Sequence, residues 1–497
     1  MDCWSGSMKQ LNLLAFDLGA SNGRAVLGAF DGARVALTEV HRFDNPMIEQ
    51  NGLYYWDALG LYRNLKESFL KLKHEGREAD CFGIDTWGVD FGLLDHNGAL
   101  LGNPRCYRNG TEAGMAAVHA VVPQETLFAR TGIAAMPFNT VYQLYARLQE
   151  KDPALEQAKT LLFSPDLYGY FFTGEQKTEY TIATTSMLYD GEHKRWDSQT
   201  MESLGIPARV FTDVDFAGSL RGRIRPAVAE ELGISRVPFA AVGSHDTASA
   251  IAAIPGEGNF AFCSSGTWSL FGVESEQPVK TKAVFDANFS NEGTVQGTFR
   301  LLKNIMGLWL IQECRRDWQK QGNFLSYDEI DAQAKSSEGL RSIIDTDDTS
   351  FYAAGNMQKK IQQFCEKTNQ PVPETAGEIA RCIYDSLALK YRFALETLEG
   401  YRGGRIDTLN IVGGGTKNKL MNQLAADATG RTVIAGPVES ACVGNLLLQA
   451  VALGELKDVH EARAIVRASF ETEIYESRRT QQWEDAYEKL LRFMKTE

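Results

Sequence analysis

Cysteine is scarce in this chain: eight residues in 497, none in a CxxC pair. Cys3, Cys81, Cys106, Cys263, Cys314, Cys365, Cys382 and Cys442 are scattered, which argues against a dense disulfide framework and a zinc site of ordinary spacing. Reduced, mostly buried thiols are expected instead. Surplus positive charge is also missing. With 64 acidic and 51 basic residues the net charge is −13, and such a surface repels a phosphate backbone, so nucleic acid is not an expected partner. No run of about 18 apolar residues could span a membrane, and no signal peptide opens the chain. A cytoplasmic protein is expected. Residues 1–7, MDCWSGS, carry no pattern and read as a tag remnant or frayed tail, with Met8 a more natural start.

Several catalytic signatures are absent as well. There is no GxxxxGK[ST] and no GxGxxG opening a βαβ unit, which disfavours a P-loop or Rossmann nucleotide site. No GxSxG or HExxH appears, so a serine hydrolase or zinc protease loses support. His245 has no second His or Cys at ligand spacing and is a poor metal ligand. An acidic chain can still hold a nucleotide, provided that local backbone N–H groups converge on its phosphates.

What is present describes a large globular α/β protein. The composition is 44% hydrophobic and 23% charged with 45 glycines, and the length exceeds the roughly 250–300 residues at which a single core stops growing. Leu13–Phe16, Arg24–Phe30 and Arg34–His41 read as three meandering strands, and Asp57–Lys73 has helical spacing through Leu61, Leu65, Phe69 and Leu72. Cys81–Asp85 reads as a further buried strand. Residues 112–232 alternate helices with short loops. Phe239–Val242 is another strand, leading to Ser244-His245-Asp246-Thr247 and a small-residue helix. Pro255-Gly256-Glu257-Gly258 is the strongest boundary signal, so lobes at residues 8–253 and 254–497 are expected. Beyond it the opening pattern recurs: strand Phe260–Cys263, a polar turn Ser264–Thr267, and strand Trp268–Val273. Leu301–Gln312, LLKNIMGLWLIQ, reads as a buried helix with Asn304 and Gln312 as polar exceptions. Ala376–Leu398 reads as a long helix, and Thr408–Val412 as a strand ending in Gly413-Gly414-Gly415. About 44 residues follow Leu453 and suit a short terminal helical segment.

Four stretches carry candidate chemistry. Asp17-Leu18-Gly19-Ala20-Ser21-Asn22-Gly23-Arg24 is a small-residue turn whose N–H groups could cradle phosphate, with Asp17 placed to hold Mg²⁺ and Arg24 to neutralise charge; an ordinary Gly-rich hairpin reads equally well. Gly413–Gly415 permits close backbone approach to a flat ligand, or is simply a flexible turn. Asp246 could accept a proton from a hydroxyl, since an aspartate is ionised at neutral pH, whereas Ser244 or Asp246 could equally serve as a helix N-cap. In Ile84-Asp85-Thr86-Trp87-Gly88-Val89-Asp90-Phe91, Trp87 could stack on a sugar; the alternative is a β-hairpin with a core Trp.

Taken together and in order, FDLGASNGR, GIDTWGVDF, the FNT and YQL of residues 138–144, SHDTASA, SSGTWSL, LLKNIMGLWL and IVGGG resemble the FGGY carbohydrate kinases, from about Leu13 to Leu447. The resemblance implies two actin-like (ribonuclease-H-like) α/β lobes with a ligand cleft between them. It also implies transfer of the ATP γ-phosphate to the 1-hydroxyl of L-rhamnulose with Mg²⁺. By motif match Ala20, Ser21, Asn22, Gly23 and Arg24 would line the ATP phosphates, and Thr267, Gln312 and Gly414 would complete the nucleotide site. Asp246 would be the base; Gly88, His245, Thr247 and Asn304 would meet the sugar. Asn22 departs from the pattern, where a second Ser is expected. Phosphorylation of L-fuculose or another deoxyketose is the nearest alternative. An actin-like chaperone ATPase is less apt, because that class appends a peptide-binding domain. A catalytically dead sugar sensor fits poorly with Asp17 and Asp246 both intact.

Overall fold

The computed structural model describes residues 10–494. Cys3 and the patternless start at residues 1–7, with Met8, lie outside them. The chain folds into two compact units. The first takes Met1–Ala253, Glu274–Leu301 and Ser440–Phe470; the second takes Ile254–Val273, Leu302–Glu439 and Glu471–Glu497. The change at residues 253 and 254 coincides with the Pro-Gly boundary, but two later segments return to the first unit, which no local signal announces.

The first unit is built on β1 (Leu11–Leu18), β2 (Asn22–Phe30), β3 (Val35–Asp44), β4 (Cys81–Thr86), β5 (Ser219–Arg223) and β6 (Pro238–Ala241), in the order β5-β6-β4-β1-β2-β3. β1 and β2 are antiparallel, as are β2 and β3, while β1 runs parallel to β4 and β4 to β6. β1 is buried on both faces, as a strand within an α/β sheet must be. Leu14, Phe16 and Leu18 join a core with α1 (Ala58–His74), through Leu61, Leu65 and Phe69. Leu13 and Ala15 join a second core with Cys442, Val443 and Leu446 of α3 (Ser440–Ala452). Asp57 caps α1 by accepting the Gly60 N–H at 3.0 Å. Between β6 and the end of the unit's first segment lies α2 (Asp246–Ala252).

The second sheet runs β9-β10-β8-β7-β11-β12-β13, where β7 is Phe260–Ser265, β8 Trp268–Ser275, β9 Ser290–Gly293, β10 Phe299–Met306, β11 Thr408–Val412, β12 Thr432–Ala435 and β13 Glu473–Tyr475. β7 pairs antiparallel with β8 and parallel with β11, and β11 is parallel to β12. The strand–turn–strand repeat seen in the sequence is therefore a repeat of sheet topology. The helix Ala376–Arg402 opens with a capping box, Thr375 with Glu378, and buries most of its length.

Two expectations are corrected. LLKNIMGLWLIQ is not one helix: Phe299–Met306 is strand β10, and a helix begins only at Trp309 and runs to Lys320. A strand buried on both faces reads as a continuous apolar run, as a buried helix does. Gly307 makes the break, because a Cβ there would lie 2.6 Å from Ser269 Oγ, and the Leu308 and Trp309 N–H groups donate to Gly266 and Thr267 carbonyls at 3.0 and 3.1 Å. Nor is Ile84–Phe91 a hairpin. The strand after the turn, Phe91–Leu94, pairs with Thr160–Phe163 instead, and Val89 turns the chain at φ 67°. All seven described cysteines are buried. No helix among the described residues is long and apolar enough to cross a membrane.

Candidate active site

In the first unit the sheet register gathers carboxylates. Asp17 and Asp85 are Cα partners across the parallel pairing of β1 and β4. The next residue, Thr86, donates its N–H to Ser244 O at 2.9 Å and bridges His245, which brings the start of α2 to the same sheet edge. Asp17 Oδ2 accepts Arg24 Nε at 2.9 Å and Nη2 at 2.6 Å. Asp85 is fully buried; its Oδ2 accepts Asn445 Nδ2 at 2.6 Å, and its Oδ1 has no protein partner. Burial above all, then the charge of Asp17, raises the Asp85 carboxyl well above the usual carboxylate range.

The turn between β1 and β2 exposes Ser21 and Asn22 and leaves Ala20 partly exposed. Its shape is held by Gly19 N–H to Asn22 O at 2.8 Å and by Asn45, which donates Nδ2 to Gly19 O at 2.9 Å. Arg24, expected to face phosphate, is tied to Asp17 here, and the two form one ion pair at the foot of the turn.

Asp246 is the first residue of α2, and His245 is the N-cap, making no side-chain cap bond. This corrects the Ser244 or Asp246 cap of the sequence reading; Asp246 stands inside the first turn of the helix and not at its cap. Its Oδ1 accepts Thr247 N–H at 2.6 Å and Thr247 Oγ1 at 3.0 Å, and its side chain keeps 35% of its surface exposed. Burial raises the Asp246 pKa, the neighbouring His245 opposes that, and Asp17 adds to it. The loop is pinned from beneath by Glu179, fully buried, whose Oε2 accepts Ser244 N–H at 3.2 Å as well as Thr181 N–H at 2.8 Å. Gly88 faces the same place: a Cβ on it would sit 3.5 Å from His245 Nε2.

Trp87 is core. Its ring lies 4.4 Å from that of Trp56, and both indole N–H groups donate to Asp90 Oδ2, at 2.9 and 2.6 Å. Asp90 also accepts Gln143 Nε2 at 3.0 Å, and burial pushes its carboxyl up to about 6.

The second unit brings together Thr267, Gln312 and Gly414 around the turn that follows β7. Thr267 Oγ1 donates to Gln312 Oε1 at 3.2 Å. Gly413 takes φ 87°, a Cβ on Gly415 would meet Ser265 Oγ at 2.0 Å, and one on Gly414 would meet nothing within 4 Å. The exposed backbone of Gly414 is thus open to a ligand. Asn304 stands on β10, partly buried, in this second unit.

The matching family models are the N-terminal domain of the FGGY family of carbohydrate kinases over residues 12–252 and its C-terminal domain over residues 261–453. The chain belongs to this family. It is 41% identical over 482 residues to a rhamnulokinase of Bacteroides thetaiotaomicron, covering 97% of this chain and 98% of the relative. To a rhamnulokinase of Enterococcus faecalis it is 42% identical over 469 residues, covering 93% and 94%. Among solved structures, a gluconate kinase from Lactobacillus acidophilus superposes with a TM-score of 0.78 at 16% identity, covering 98% of each chain. That likeness establishes the two-domain actin-like sugar-kinase fold.

Motif matching did not assign Asp85, Glu179, Glu292 or Arg300 to the site. Asp85 lies in the Ile84–Phe91 motif, whose carboxylates suit the acceptance of sugar hydroxyls as well. Glu179, Glu292 and Arg300 come from distant segments and have no local signature.

Proposed function

We propose that this chain transfers the γ-phosphate of ATP to the 1-hydroxyl of L-rhamnulose, giving L-rhamnulose 1-phosphate and ADP, in the cytoplasm. The observation that carries the reading is the Asp246 carboxylate: partly exposed at a helix start, held on one oxygen by Thr247, and raised in pKa by its surroundings. A raised pKa makes the ionised carboxylate a stronger base toward a hydroxyl. Asp246 takes the proton of the 1-hydroxyl as that oxygen attacks phosphorus, and the bond from phosphorus to the ADP oxygen breaks in line. Gly88, His245, Thr247 and Asn304 meet the sugar. N–H groups of Ala20, Ser21, Asn22 and Gly23, with Arg24, face the phosphates, while Thr267, Gln312 and Gly414 hold the nucleoside end. On this reading residues 8–253 supply the phosphate side and, Asn304 apart, the sugar contacts, and residues 254–497 the nucleotide side.

The residues fit a divalent cation. Asp17 and Asp85 stand side by side, and Asp85 has a buried oxygen without a protein partner. Among the described residues the only trio whose ligand atoms lie within 4.8 Å of one another is Asp190, Glu192 and His193, away from this sheet edge. Asp17, Asp85 and Asp246 are thus too spread to form a closed cage, which suits Mg²⁺, an ion held by one or two carboxylates, waters and substrate phosphates. When bound it neutralises charge on the transferred group; Asp17 and Asp85 are the residues that would hold it.

ADP release measured with Mg²⁺-ATP against a panel of ketoses and polyols tests the proposal. L-Rhamnulose should give the highest kcat/KM, with L-fuculose partly overlapping, since a pocket separates such close analogues by only ~1–3 kcal/mol. Excess chelator should abolish turnover. Much faster phosphorylation of glycerol or xylulose, or full activity in chelator, would overturn it.

A further inference from the structure

Arg300 on β10 is completely buried, and its contacts concern the ring of His245. Its Nη2 lies 2.8 Å from Glu292 Oε2 and 2.7 Å from His245 Nδ1. Glu292 Oε2 is itself 3.3 Å from the same Nδ1, so two groups of opposite sign compete for one ring nitrogen. A guanidinium is donor-only and remains charged in proteins. Two N–H donors cannot share a 2.7 Å contact, so Nδ1 must accept, and the ring proton of a neutral imidazole must then reside on Nε2. That nitrogen faces the proposed chemistry: it is 3.5 Å from Asp246 Oδ1 and looks toward Gly88. The backbone of His245 is fixed independently, its N–H donating to Thr181 Oγ1 at 3.2 Å.

We infer that Arg300, anchored by Glu292, is a positioning residue that holds His245 as the Nε2–H tautomer, so that a donor stands beside Asp246 where the acceptor hydroxyl is activated. A neutral donor there can hold a substrate oxygen without adding a second base beside Asp246. Were Arg300 absent, Glu292 would be the remaining partner of Nδ1, and, as a carboxylate, it would draw the proton to that side. Nε2 would then become an acceptor facing another acceptor. The inference rests on placing His245 at the sugar, but its test does not depend on which sugar is phosphorylated.

The test is a long-range ¹H–¹⁵N correlation spectrum of the full chain labelled with ¹⁵N-histidine, with the His245 signals assigned by their loss in His245→Gln. Wild type at neutral pH should show a pyridine-like Nδ1 and a pyrrole-like Nε2. A pyrrole-like Nδ1, or two protonated nitrogens, would overturn the inference. In Arg300→Met the pattern should reverse, and kcat with sugar should fall about 10- to 100-fold, the worth of one hydrogen bond to a charged group, with KM for ATP little changed. Arg300→Lys, also donor-only, should restore the Nε2–H pattern and part of kcat. An unchanged tautomer in folded Arg300→Met would assign the effect elsewhere and overturn the role. If Arg300→Met does not fold, neutron diffraction on wild type decides: deuterium on Nε2, none on Nδ1 and an Arg300 Nη2–D directed at Nδ1 is the expected result, and deuterium on Nδ1 the overturning one.

Discussion

At the end of β1, Asp17 faces Asp85 across a parallel pairing; at the matching place in the second unit, the penultimate residue of β7, Ser264 faces Val412. Each site begins with a hairpin whose first strand also pairs with a later parallel strand, yet one end concentrates carboxylates and the other has none. The fold thus supplies an edge where a turn and a parallel partner meet, and the residues set there choose the chemistry. In the first unit the edge can hold a cation and a base. In the second it presents a neutral hydroxyl, an amide and bare glycine backbone, which suit a ligand recognised by shape and hydrogen bonds.

Removing the carboxylate proposed as the base should have the largest effect. Asp246→Asn keeps the shape but cannot take a proton, so kcat should fall about 10²–10⁴-fold with sugar affinity and melting temperature nearly unchanged. Near-wild-type turnover would reduce Asp246 to a structural helix residue. In wild type, activity should fall as pH drops through the Asp246 pKa, which burial raises above the ordinary aspartate value, because the base must be ionised.

Next is Glu179, beneath the Asp246 loop, whose carboxyl burial pushes up to about 7 from 4.5. A raised folded-state pKa means that the folded chain binds the extra proton, so stability is fully present below about pH 4.5 and is lost as pH rises through about 7. The loss is roughly 3 kcal/mol. Glu179→Gln should flatten this part of the dependence, seen as a smaller fall in melting temperature between about pH 5 and pH 8. Equal slopes for the two proteins would remove Glu179 from the explanation.

Asp85→Asn makes the first edge more like the second. Asparagine removes a buried carboxyl whose ionisation burial and Asp17 both oppose, so the melting temperature of the nucleotide-free protein should rise at neutral pH. The same change should raise the Mg²⁺ concentration needed for half-maximal rate. A stability gain without any change in Mg²⁺ requirement would leave Asp17 as the cation's sole protein ligand.

The smallest effects fall in the second unit, where two adjacent glycines should part company. Gly415→Ala drives a Cβ to 2.0 Å from Ser265 Oγ and should cost about 1–3 kcal/mol of stability. Gly414→Ala meets no protein atom within 4 Å, so it should melt like wild type while KM for ATP rises a few-fold. Identical behaviour in both assays would show that the nucleotide does not approach Gly414.

Much of the architecture was legible before the structure. β11 and the long helix that begins at Ala376 fall where periodicity and flanking turns placed them, because each is bounded by Gly or polar residues and repeats its apolar positions cleanly. LLKNIMGLWLIQ failed for a stated physical reason: burial on both faces erases the period that separates strand from helix. Trp87 was open between two readings for a different reason. Whether an indole meets a sugar or another indole depends on what packs opposite, and Trp56, from another segment, decides it.

By itself, the amino-acid sequence determined the alternation of strands and helices, the repeated hairpin and the family, since these are written in local pattern and residue type. Tertiary structure alone decided that Asp17 stands beside Asp85, that residues 274–301 and 440–470 join the first unit, and that Arg300 and Glu292 reach the ring of His245. Sheet register and burial bring together residues tens to hundreds of positions apart, and at those distances no periodicity in the chain records which side chain will face which.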